Sequence, residues 1–261
     1  MHKTIFETHA HYDDEAFDED REQLLSSFKE NGIEYVINVG ASIESTRTTI
    51  ALMNQYPFIY GALGVHPSDT GELDEDAMGW LKEQFVNPKA VAVGEIGLDY
   101  HWDEPSRDIQ KKWFDRQLAL ARDVHRPVVI HSRDAASDTL EMLKQAKAQE
   151  IGGVIHCFSY GKEMAREFLN LDFSFGIGGV VTFQNAKKLK EAVAYIPMEK
   201  ILLETDSPYL APVPFRGKRN SSLNIPYVVR EIAAIKRIDE EEVIHITHEN
   251  AVKLFLDTQR E

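Results

Sequence analysis

Short apolar runs alternate with longer amphipathic stretches along almost the whole chain, and this alternation restricts the possible fold more than any other feature. The runs are rich in β-branched residues and end near Glu7, Asn38, Leu63, Gly94, Ile130, Ile155, Ile177 and Glu204. A short, continuously apolar run is typical of a strand that is buried on both faces, as the strands of a parallel sheet are. The sequence therefore predicts eight parallel strands.

The stretches between these runs have the periodicity of amphipathic helices. They cover residues 18–31, 43–55, 74–85, 108–124, 135–147, 161–170 and 186–195. Successive strand ends are about 28 residues apart on average, close to the roughly 30 residues of one strand–helix–strand unit. Eight such units predict an α/β fold of the (β/α)8 TIM-barrel type.

A doubly wound open sheet is the alternative fold. Such sheets usually contain fewer strands, and the first strand here is not followed by the Gly-rich turn that binds dinucleotide phosphates. Residues 226–236 and 239–256 predict two further helices, and the short loop between them indicates that they pack on the same body. We therefore expect one domain over residues 1–261.

Acidic residues outnumber basic ones, with 43 Asp and Glu against 29 Lys and Arg, which gives a formal net charge of −14 at pH 7. This balance opposes an extended contact with nucleic acid, because such contacts need clustered Lys and Arg. It does not oppose a small site where bound cations meet an anionic substrate. The single cysteine excludes a disulfide framework. Without a signal peptide or a membrane-spanning run, we expect a cytoplasmic protein with neither a membrane nor an obligate protein partner.

Metal-ligand residue types follow most of the predicted strands. They are His9 and His11 after the first strand, His66 after the third, Glu95 after the fourth, His131 after the fifth, His156 after the sixth and Asp206 after the eighth. In a parallel barrel the active site lies at the carboxyl ends of the strands. These side chains are therefore expected to meet at one end of the barrel.

His9 and His11 are separated by one residue, so strand geometry directs both side chains to the same face, where they can bind one ion. Asp206 would lie beside them, because the first and eighth strands are neighbours in a closed barrel. A histidine at a strand end can also simply hydrogen-bond a backbone carbonyl. The further His, Glu and Asp residues at other strand ends favour a metal site instead.

Glu95 ends an apolar run and is closely flanked by glycines. A buried carboxylate is costly unless a cation or hydrogen-bond donors compensate it. Its two oxygens can bridge two cations, so we predict that Glu95 is the shared ligand of a two-metal site. The alternative is a salt bridge that closes the end of the barrel. Because the ligands include both imidazoles and carboxylates, the identity of the two divalent ions stays open among Mg, Mn, Zn and Ni.

Cys157 directly follows His156 in the sequence. If the strand continued through both residues, their side chains would point in opposite directions. We therefore expect Cys157 to pack in the core, with help in binding a soft metal as the alternative.

The motifs that contain these residues resemble the TatD family of metal-dependent hydrolases, a branch of the amidohydrolase superfamily. They are ETHAH, GVHP, GEIGLDY, HSRDA, HCFS and ETDSPYLAP followed by RGKRN. The resemblance implies a first metal bound by His9, His11 and Asp206, a second bound by His131 and His156, and Glu95 as the bridging ligand. It further implies that His66 lies near the substrate without binding metal, and that Arg133 and Arg216 border the cleft.

Two positions depart from the family pattern. The family usually has Asp before T-H-x-H, where this chain has Glu7, and RGKRN more often continues into Glu-Pro than into Ser221 and Ser222. The longer side chain of Glu7 can alter contacts behind the metal ligands. The second departure leaves the substrate contacts after the eighth strand open. The acidic segment 13–20 is typical of helix capping, but any part of it at the cavity mouth would repel a long polyanion.

The resemblance implies a hydrolase that activates water with two metal ions and acts on DNA or another nucleic acid. We expect a 3′→5′ exodeoxyribonuclease in which Asp206, Glu95 and His66 are catalytic and Arg133 and Arg216 bind the substrate. Hydrolysis at a carbonyl centre, such as an aminoacyl-tRNA ester, an amide or a lactone, is the alternative, because the same water can attack a carbonyl. A non-catalytic scaffold or nucleic-acid-binding barrel is the second alternative.

Overall fold

The computed structural model describes residues 3–257, and in them eight parallel strands follow one another in chain order. The strands are β1 Ile5–Ala10, β2 Ile33–Val39, β3 Ile59–Ala62, β4 Ala90–Asp99, β5 Val128–Arg133, β6 Gly153–Ile155, β7 Ser174–Ile177 and β8 Ile201–Leu203. An isolated parallel bridge joins Ala10 to Ser207, just beyond β8, so the sheet curves until its edges meet. The predicted (β/α)8 barrel is confirmed.

Helices lie between the strands and cover the outside of the barrel. They are α1 Arg21–Ser26, α2 Ile43–Gln55, α3 Glu75–Gln84, α4 Arg107–Asp123, α5 Ala136–Gln145, α6 Lys162–Leu169 and α7 Lys187–Tyr195. After β8 come α8 Ile225–Lys236 and α9 Glu240–Ala251, which continues into a π-helical turn over Val252–Leu256. In the described part of the chain, no helix is both long and apolar enough to cross a membrane.

Strands β1 and β4 extend further than the apolar runs predicted. β1 continues past Glu7 to Ala10, and β4 continues past Gly94 to Asp99. In β4 the pairing with β5 shifts between Val93 and Ile96, so that one extra residue is accommodated. The strand therefore continues through Glu95, the polar residue that directly follows the predicted end at Gly94.

The first helix is shorter than the predicted range 18–31. The helix itself covers Arg21–Ser26, and a separate 3-10 turn covers Lys29–Asn31. Gly32 then adopts a left-handed backbone conformation with φ of 75°. Glycine takes this conformation without steric cost, which allows the chain to turn directly into β2.

An apolar cluster fills the inside of the barrel and is covered by the C-terminal turn. Phe6, Ile37, Val129 and Leu202 belong to this cluster and are almost completely buried. Phe255 of the π-helical turn belongs to it as well, and its ring centroid lies 6.5 Å from that of Phe6 near the start of β1. The end of the barrel opposite the carboxyl ends of the strands is thus packed with side chains.

We predict that Phe255→Ala lowers the free energy of unfolding by about 3–5 kcal/mol, because it removes a buried ring whose space the barrel cannot refill. Urea unfolding of the chain in EDTA measures the change. Lys253→Ala is the matched control, since Lys253 is exposed on the same turn and its loss is expected to matter by less than about 0.5 kcal/mol. Equal stabilities of the two variants would contradict the packing role of Phe255.

Candidate metal centre

A cavity of about 700 Å³ opens at the carboxyl ends of the strands. It is lined by residues from several strand ends, among them His11, His66, Glu95, Asp99, His131, Arg133, His156 and Asp206. His9 does not reach the cavity surface and is fully buried, but its imidazole contacts that of His11. The structure thus brings all six predicted metal ligands together.

His9, His11 and Asp206 form one group of converging ligand atoms. Nε2 of His9 lies 3.2 Å from Nε2 of His11, and Oδ1 of Asp206 lies 3.7 Å and 3.5 Å from these two nitrogens. Two ligands of one tetrahedral zinc ion are about 3.4 Å apart, given metal–nitrogen bonds of about 2.1 Å. The three atoms therefore have the spacing of ligands that share one ion.

Glu95 lies between this group and a second pair of histidines. Its Oε2 is 3.4 Å from Nε2 of His9 and 3.8 Å from Nε2 of His11. Its Oε1 is 2.8 Å from Nδ1 of His131 and 3.2 Å from Nε2 of His156. Each carboxylate oxygen thus faces a different pair of imidazoles, which is the arrangement that a bridging ligand requires.

Groups behind two of the imidazoles determine which ring nitrogen can bind a cation. Nδ1 of His11 lies 2.8 Å from the carbonyl oxygen of Val39, and because a carbonyl only accepts, a neutral His11 ring keeps its proton on Nδ1 and has Nε2 left to bind a cation. Oδ2 of Asp99 lies 3.0 Å from Nε2 of His131, so a neutral His131 ring keeps its proton on Nε2 and has Nδ1, the nitrogen beside Glu95, left to bind a cation. Such carboxylate or carbonyl contacts orient metal-binding histidines and fix their tautomers.

Asp99 is charged in this arrangement. Burial opposes its ionisation, but the hydrogen bond with His131 lowers the pKa of Asp99 to about 2. Its other oxygen, Oδ1, accepts hydrogen bonds from the backbone of His101 and Trp102. The carboxylate therefore connects the ligand His131 to the loop that follows β4.

The electrostatics of the centre suit cations. Burial opposes ionisation of Glu95, but His156, His9 and His131 hold its pKa well below the ordinary value. Burial opposes protonation of His11, yet its contacts with Asp206 and Glu95 raise its pKa to about 9. The centre thus holds protons among closely packed carboxylates and imidazoles, and binding of divalent cations would displace them.

His66 caps the 3-10 turn Pro67–Glu72 at the cavity wall. Its Nδ1 accepts a hydrogen bond from the backbone N–H of Ser68, at 3.2 Å, so the proton of the neutral ring is on Nε2. Burial and the nearby His131 lower the pKa of His66 to about 3. Although His66, Asp99 and His131 are close enough to hold an ion, this tautomer makes His66 a hydrogen-bond donor and not a ligand.

Glu204 is a buried contact of the centre that the sequence reasoning missed. It is 1% exposed, and its Oε1 lies 3.3 Å from Nδ1 of His156 and accepts a hydrogen bond from the backbone N–H of Cys157. Asp99 was missed as well. Both carboxylates occur in strand-end motifs beside predicted ligands, so a polar residue at a strand end was the signal that could have identified them.

The two departures from the family pattern are in contact with each other. Oε1 of Glu7 accepts hydrogen bonds from the backbone N–H groups of His9 and Thr205, and its Oε2 accepts one from the hydroxyl of Ser222 at 2.9 Å. Burial raises the pKa of Glu7 to about 8 against these hydrogen bonds. Glu7 therefore joins β1, the chain after β8 and the segment that follows RGKRN.

The predicted substrate-binding arginines have different surroundings. Arg133 lines the cavity, and its guanidinium lies 6.0 Å from the ring centroid of Trp102. Arg216 lies outside the residues that line the cavity and stacks 4.4 Å above the ring of Phe183. Arg219, a further basic candidate in RGKRN, makes two short ionic hydrogen bonds to Asp20. Arg133 is thus the arginine among these three that faces the centre.

The acidic segment after β1 has both of the roles considered for it. The side chain of Asp14 accepts a hydrogen bond from the backbone N–H of Ala16 and caps a short 3-10 turn. Asp13 and Asp14 also line the cavity. The mouth therefore carries negative charge on the side of β1.

The expectation that Cys157 points away from His156 is wrong. The ligand atoms of His156, Cys157 and Asp206 lie within 4.8 Å of one another. Strand alternation does not apply here, because β6 ends at Ile155 and Cys157 has a positive φ of 44°. The thiol is therefore turned toward the metal centre.

The comparisons with known proteins agree with this geometry. A family model described as TatD related DNase matches residues 6–256. The chain is 44% identical over 251 residues to the uncharacterized metal-dependent hydrolase YabD of Bacillus subtilis, covering 96% of this chain and 98% of that protein. It is 32% identical to the uncharacterized metal-dependent hydrolase YcfH of Escherichia coli K12, and the match covers 98% of this chain and 97% of that protein. The crystal structure of YJJV, a TatD homologue from Escherichia coli K12, matches with a TM-score of 0.92 at 30% identity, and the match covers 98% of this chain and 99% of that one.

We predict that Asp99→Asn weakens binding of one of two divalent cations by about 10- to 100-fold, because the neutral amide no longer supports His131. Isothermal titration of the metal-free chain with Mn²⁺ or Zn²⁺ measures the affinity and the number of ions bound. Asp134→Asn is the matched control, since Asp134 is exposed and contacts His101. Unchanged affinity in Asp99→Asn would contradict its contribution to ligand orientation.

We also predict that Glu7→Gln and Ser222→Ala are not additive, because each changes one partner of the same buried hydrogen bond. The expected coupling is about 0.5–3 kcal/mol in the free energy of unfolding. Urea unfolding of both single variants and the double variant, in EDTA, gives this value. Glu7→Gln combined with Ser27→Ala is the control pair, and it is expected to be additive because Ser27 bonds only within its own turn. Additivity of the Glu7 and Ser222 changes would contradict the link.

Proposed function

This chain belongs to the TatD-related DNase family and is a metal-dependent hydrolase, and from that premise we propose that it is a 3′→5′ exodeoxyribonuclease that uses two divalent cations. The observation that carries the proposal is the position of Glu95, each of whose oxygens faces a different pair of imidazoles. A two-cation centre is typical of enzymes that cleave phosphodiesters. The description of the matching family as DNases supports DNA as the substrate, and the 3′ polarity is what the resemblance to this family implies.

The donor set identifies the residues that would hold the cations. His9, His11 and Asp206 with Oε2 of Glu95 would hold the first, and His131 and His156 with Oε1 of Glu95 would hold the second. When bound, two such cations lower the pKa of a water molecule and neutralise charge on phosphoryl oxygens.

Asp206 is suited to accept the proton of the attacking water. Burial opposes its ionisation, but its hydrogen bond with His11 and the charges of His156 and His9 lower the pKa of Asp206, so the carboxylate is charged. Its backbone N–H donates to the carbonyl oxygen of His9 at 2.9 Å, which fixes the residue beside β1. A charged carboxylate at a fixed position can orient a water molecule and take its proton.

His66 and Arg133 are suited to stabilise the phosphoryl group. The N–H at Nε2 of His66 can donate to a phosphoryl oxygen, and its low pKa keeps the ring neutral and its tautomer constant across the neutral range. Arg133, the last residue of β5, lines the same cavity and can add a charge-assisted hydrogen bond. Donors that are oriented before the reaction lower its barrier more than donors that must reorganise.

The size and charge of the cavity favour the end of a strand over its middle. A volume of about 700 Å³ is within the range of sites that enclose one small ligand. Asp13 and Asp14 on the cavity wall would repel a long phosphate chain that crossed the mouth. One terminal phosphodiester can enter with fewer such contacts.

These same carboxylates favour a second candidate function, hydrolysis at a carbonyl centre. An aminoacyl ester, an amide or a lactone has less negative charge than a nucleic acid strand, so Asp13 and Asp14 would oppose its entry less. The water, the base Asp206 and the donor His66 would serve attack on a carbonyl equally well.

We predict that Asp206→Asn lowers the rate of 3′ trimming of a 5′-labelled single-stranded DNA oligonucleotide by about 10²- to 10⁴-fold, because the amide cannot take a proton. Wild type is assayed with Mg²⁺, Mn²⁺ or Zn²⁺ and with EDTA, and the products are resolved by length. A ladder that shortens from the 3′ end with metal and is absent in EDTA is the expected result.

Two controls accompany this measurement. Circular dichroism and the metal content of Asp206→Asn separate loss of the base from loss of the fold or of an ion, and Asp134→Asn serves as an exposed Asp-to-Asn control. A folded, metal-loaded and fully active Asp206→Asn variant would contradict the role of Asp206. An intact oligonucleotide under every metal would contradict the nuclease proposal, and aminoacyl-tRNA would then be the substrate to assay.

A further inference from the structure

We propose that Trp102 and Tyr209 form a subsite for one nucleobase of the substrate, next to the metal centre. The inference deepens the proposed nuclease function and rests on it. Trp102 lies outside the motifs quoted above, and Tyr209 lies in ETDSPYLAP, where the sequence analysis gave it no role. The two residues are called the aromatic pair below.

The aromatic pair is unusually exposed for residues of its type. Trp102 is 67% exposed and Tyr209 is 55% exposed, and both line the cavity. Within residues 3–257 the other strongly exposed Trp, Tyr or Phe side chain is Tyr195, at 39%, and it lies outside the cavity. Large apolar side chains exposed at a functional cavity are typical of a surface that a ligand covers.

Each ring is connected by a short turn to a carboxylate of the centre. The backbone N–H of Trp102 lies 3.3 Å from Oδ1 of Asp99, whose Oδ2 contacts His131. The backbone N–H of Tyr209 donates to the carbonyl oxygen of Asp206 at 2.8 Å. Three residues span at most about 10 Å. Both backbones are therefore close to the metal centre, and both side chains line its cavity.

The two rings belong to opposite sides of the barrel. Trp102 follows β4, whereas Tyr209 follows β8, four strands further around the sheet. The hydroxyl of Tyr209 lies 3.0 Å from Oδ2 of Asp14, which fixes one edge of that ring. The ring of Trp102 is in edge contact with the ring of His101, with 4.9 Å between their centroids. The guanidinium of Arg133 lies 6.0 Å from the centroid of the Trp102 ring. The pair therefore flanks the cavity and is held in place.

This arrangement fits a nucleobase better than it fits a protein surface. The rings are separated by a cavity lined with imidazoles and carboxylates, so they do not form the continuous apolar area that a protein interface needs. A nucleotide has one anionic group and one planar ring, and it can meet the metal centre and an aromatic ring together. Stacking on aromatic side chains does not depend on base identity, because every base has a π-face. The subsite is therefore expected to accept all four bases.

Binding of two probes that differ only in the base tests the proposal. Isothermal titration of the metal-loaded full chain compares deoxyadenosine 5′-monophosphate with 2-deoxyribose 5-phosphate. Wild type is expected to bind the nucleotide about tenfold more tightly, which corresponds to about 1.4 kcal/mol and lies within the range of one stacked base. Trp102→Ala and Tyr209→Ala are each expected to reduce this preference, while binding of the sugar phosphate stays unchanged.

Two control variants test whether the base preference depends on the rings of the aromatic pair. Trp102→Phe keeps a ring at the position and is expected to retain most of the preference. Tyr195→Ala removes an exposed aromatic side chain elsewhere and is expected to leave the preference unchanged. Equal affinity of wild type for the two probes would overturn the subsite, and so would a full preference in both alanine variants of the aromatic pair.

Hydrolysis of the oligonucleotide is measured separately, so that the two proposals can fail independently. Base-dependent binding without any hydrolysis would support the subsite and contradict the nuclease. Hydrolysis with equal binding of both probes would support the nuclease and overturn the subsite. Where hydrolysis occurs, an abasic residue at the 3′ end is expected to raise KM about tenfold in wild type and to raise it less in Trp102→Ala.

Discussion

A carboxylate enclosed inside the barrel, that of Glu95, is the group on which the arrangement of the whole centre depends. It is 3% exposed, and a buried charge of this kind is tolerated only when opposite charge or hydrogen-bond donors surround it. Imidazoles from β1, β5 and the segments after β1 and β6 contact its two oxygens. The barrel provides this convergence because the carboxyl ends of all its strands meet around one axis.

Three of the imidazoles also contact a second set of groups, which lie on the side of each ring away from Glu95 and are called the outer layer here. These contacts orient the rings and so define the geometry of the centre. Val39 contributes a carbonyl behind His11, and Asp99 contributes a carboxylate behind His131. The carboxylate of Glu204 also lies close to His156, with Oε1 at 3.3 Å from Nδ1. The contacts of Val39 and Asp99 keep the proton of each neutral ring on the nitrogen away from Glu95, so that the nitrogen nearer Glu95 can bind a cation once its proton is displaced.

Much of the fold and of the inner layer could be predicted from the sequence, because both follow from local patterns. Apolar runs with a regular spacing predicted the strands, and the rule that parallel strands end on one side predicted that His9, His131 and Asp206 would meet. The contacts of the outer layer could not be predicted: the positions of Asp99 and Glu204 at strand ends mark them as candidates, but no periodicity specifies which imidazole each one contacts across strands. The length of β4 was underestimated for a related reason, because a shift in pairing with β5 takes the strand through Glu95. The pairing of Arg219 with Asp20 likewise joins segments that are far apart in the chain.

The packing of Phe255 on Phe6 has a consequence for how the barrel forms. The interior can be sealed only when the segment after α9 returns to the first strand, and the bridge between Ala10 and Ser207 likewise joins the two edges of the sheet. Contacts between such distant parts of a chain form late and slowly in folding, because the long intervening loop must first be ordered. During synthesis the barrel interior therefore stays open until the segment after α9 is available to cover it, and the apolar strands are exposed to association in that interval.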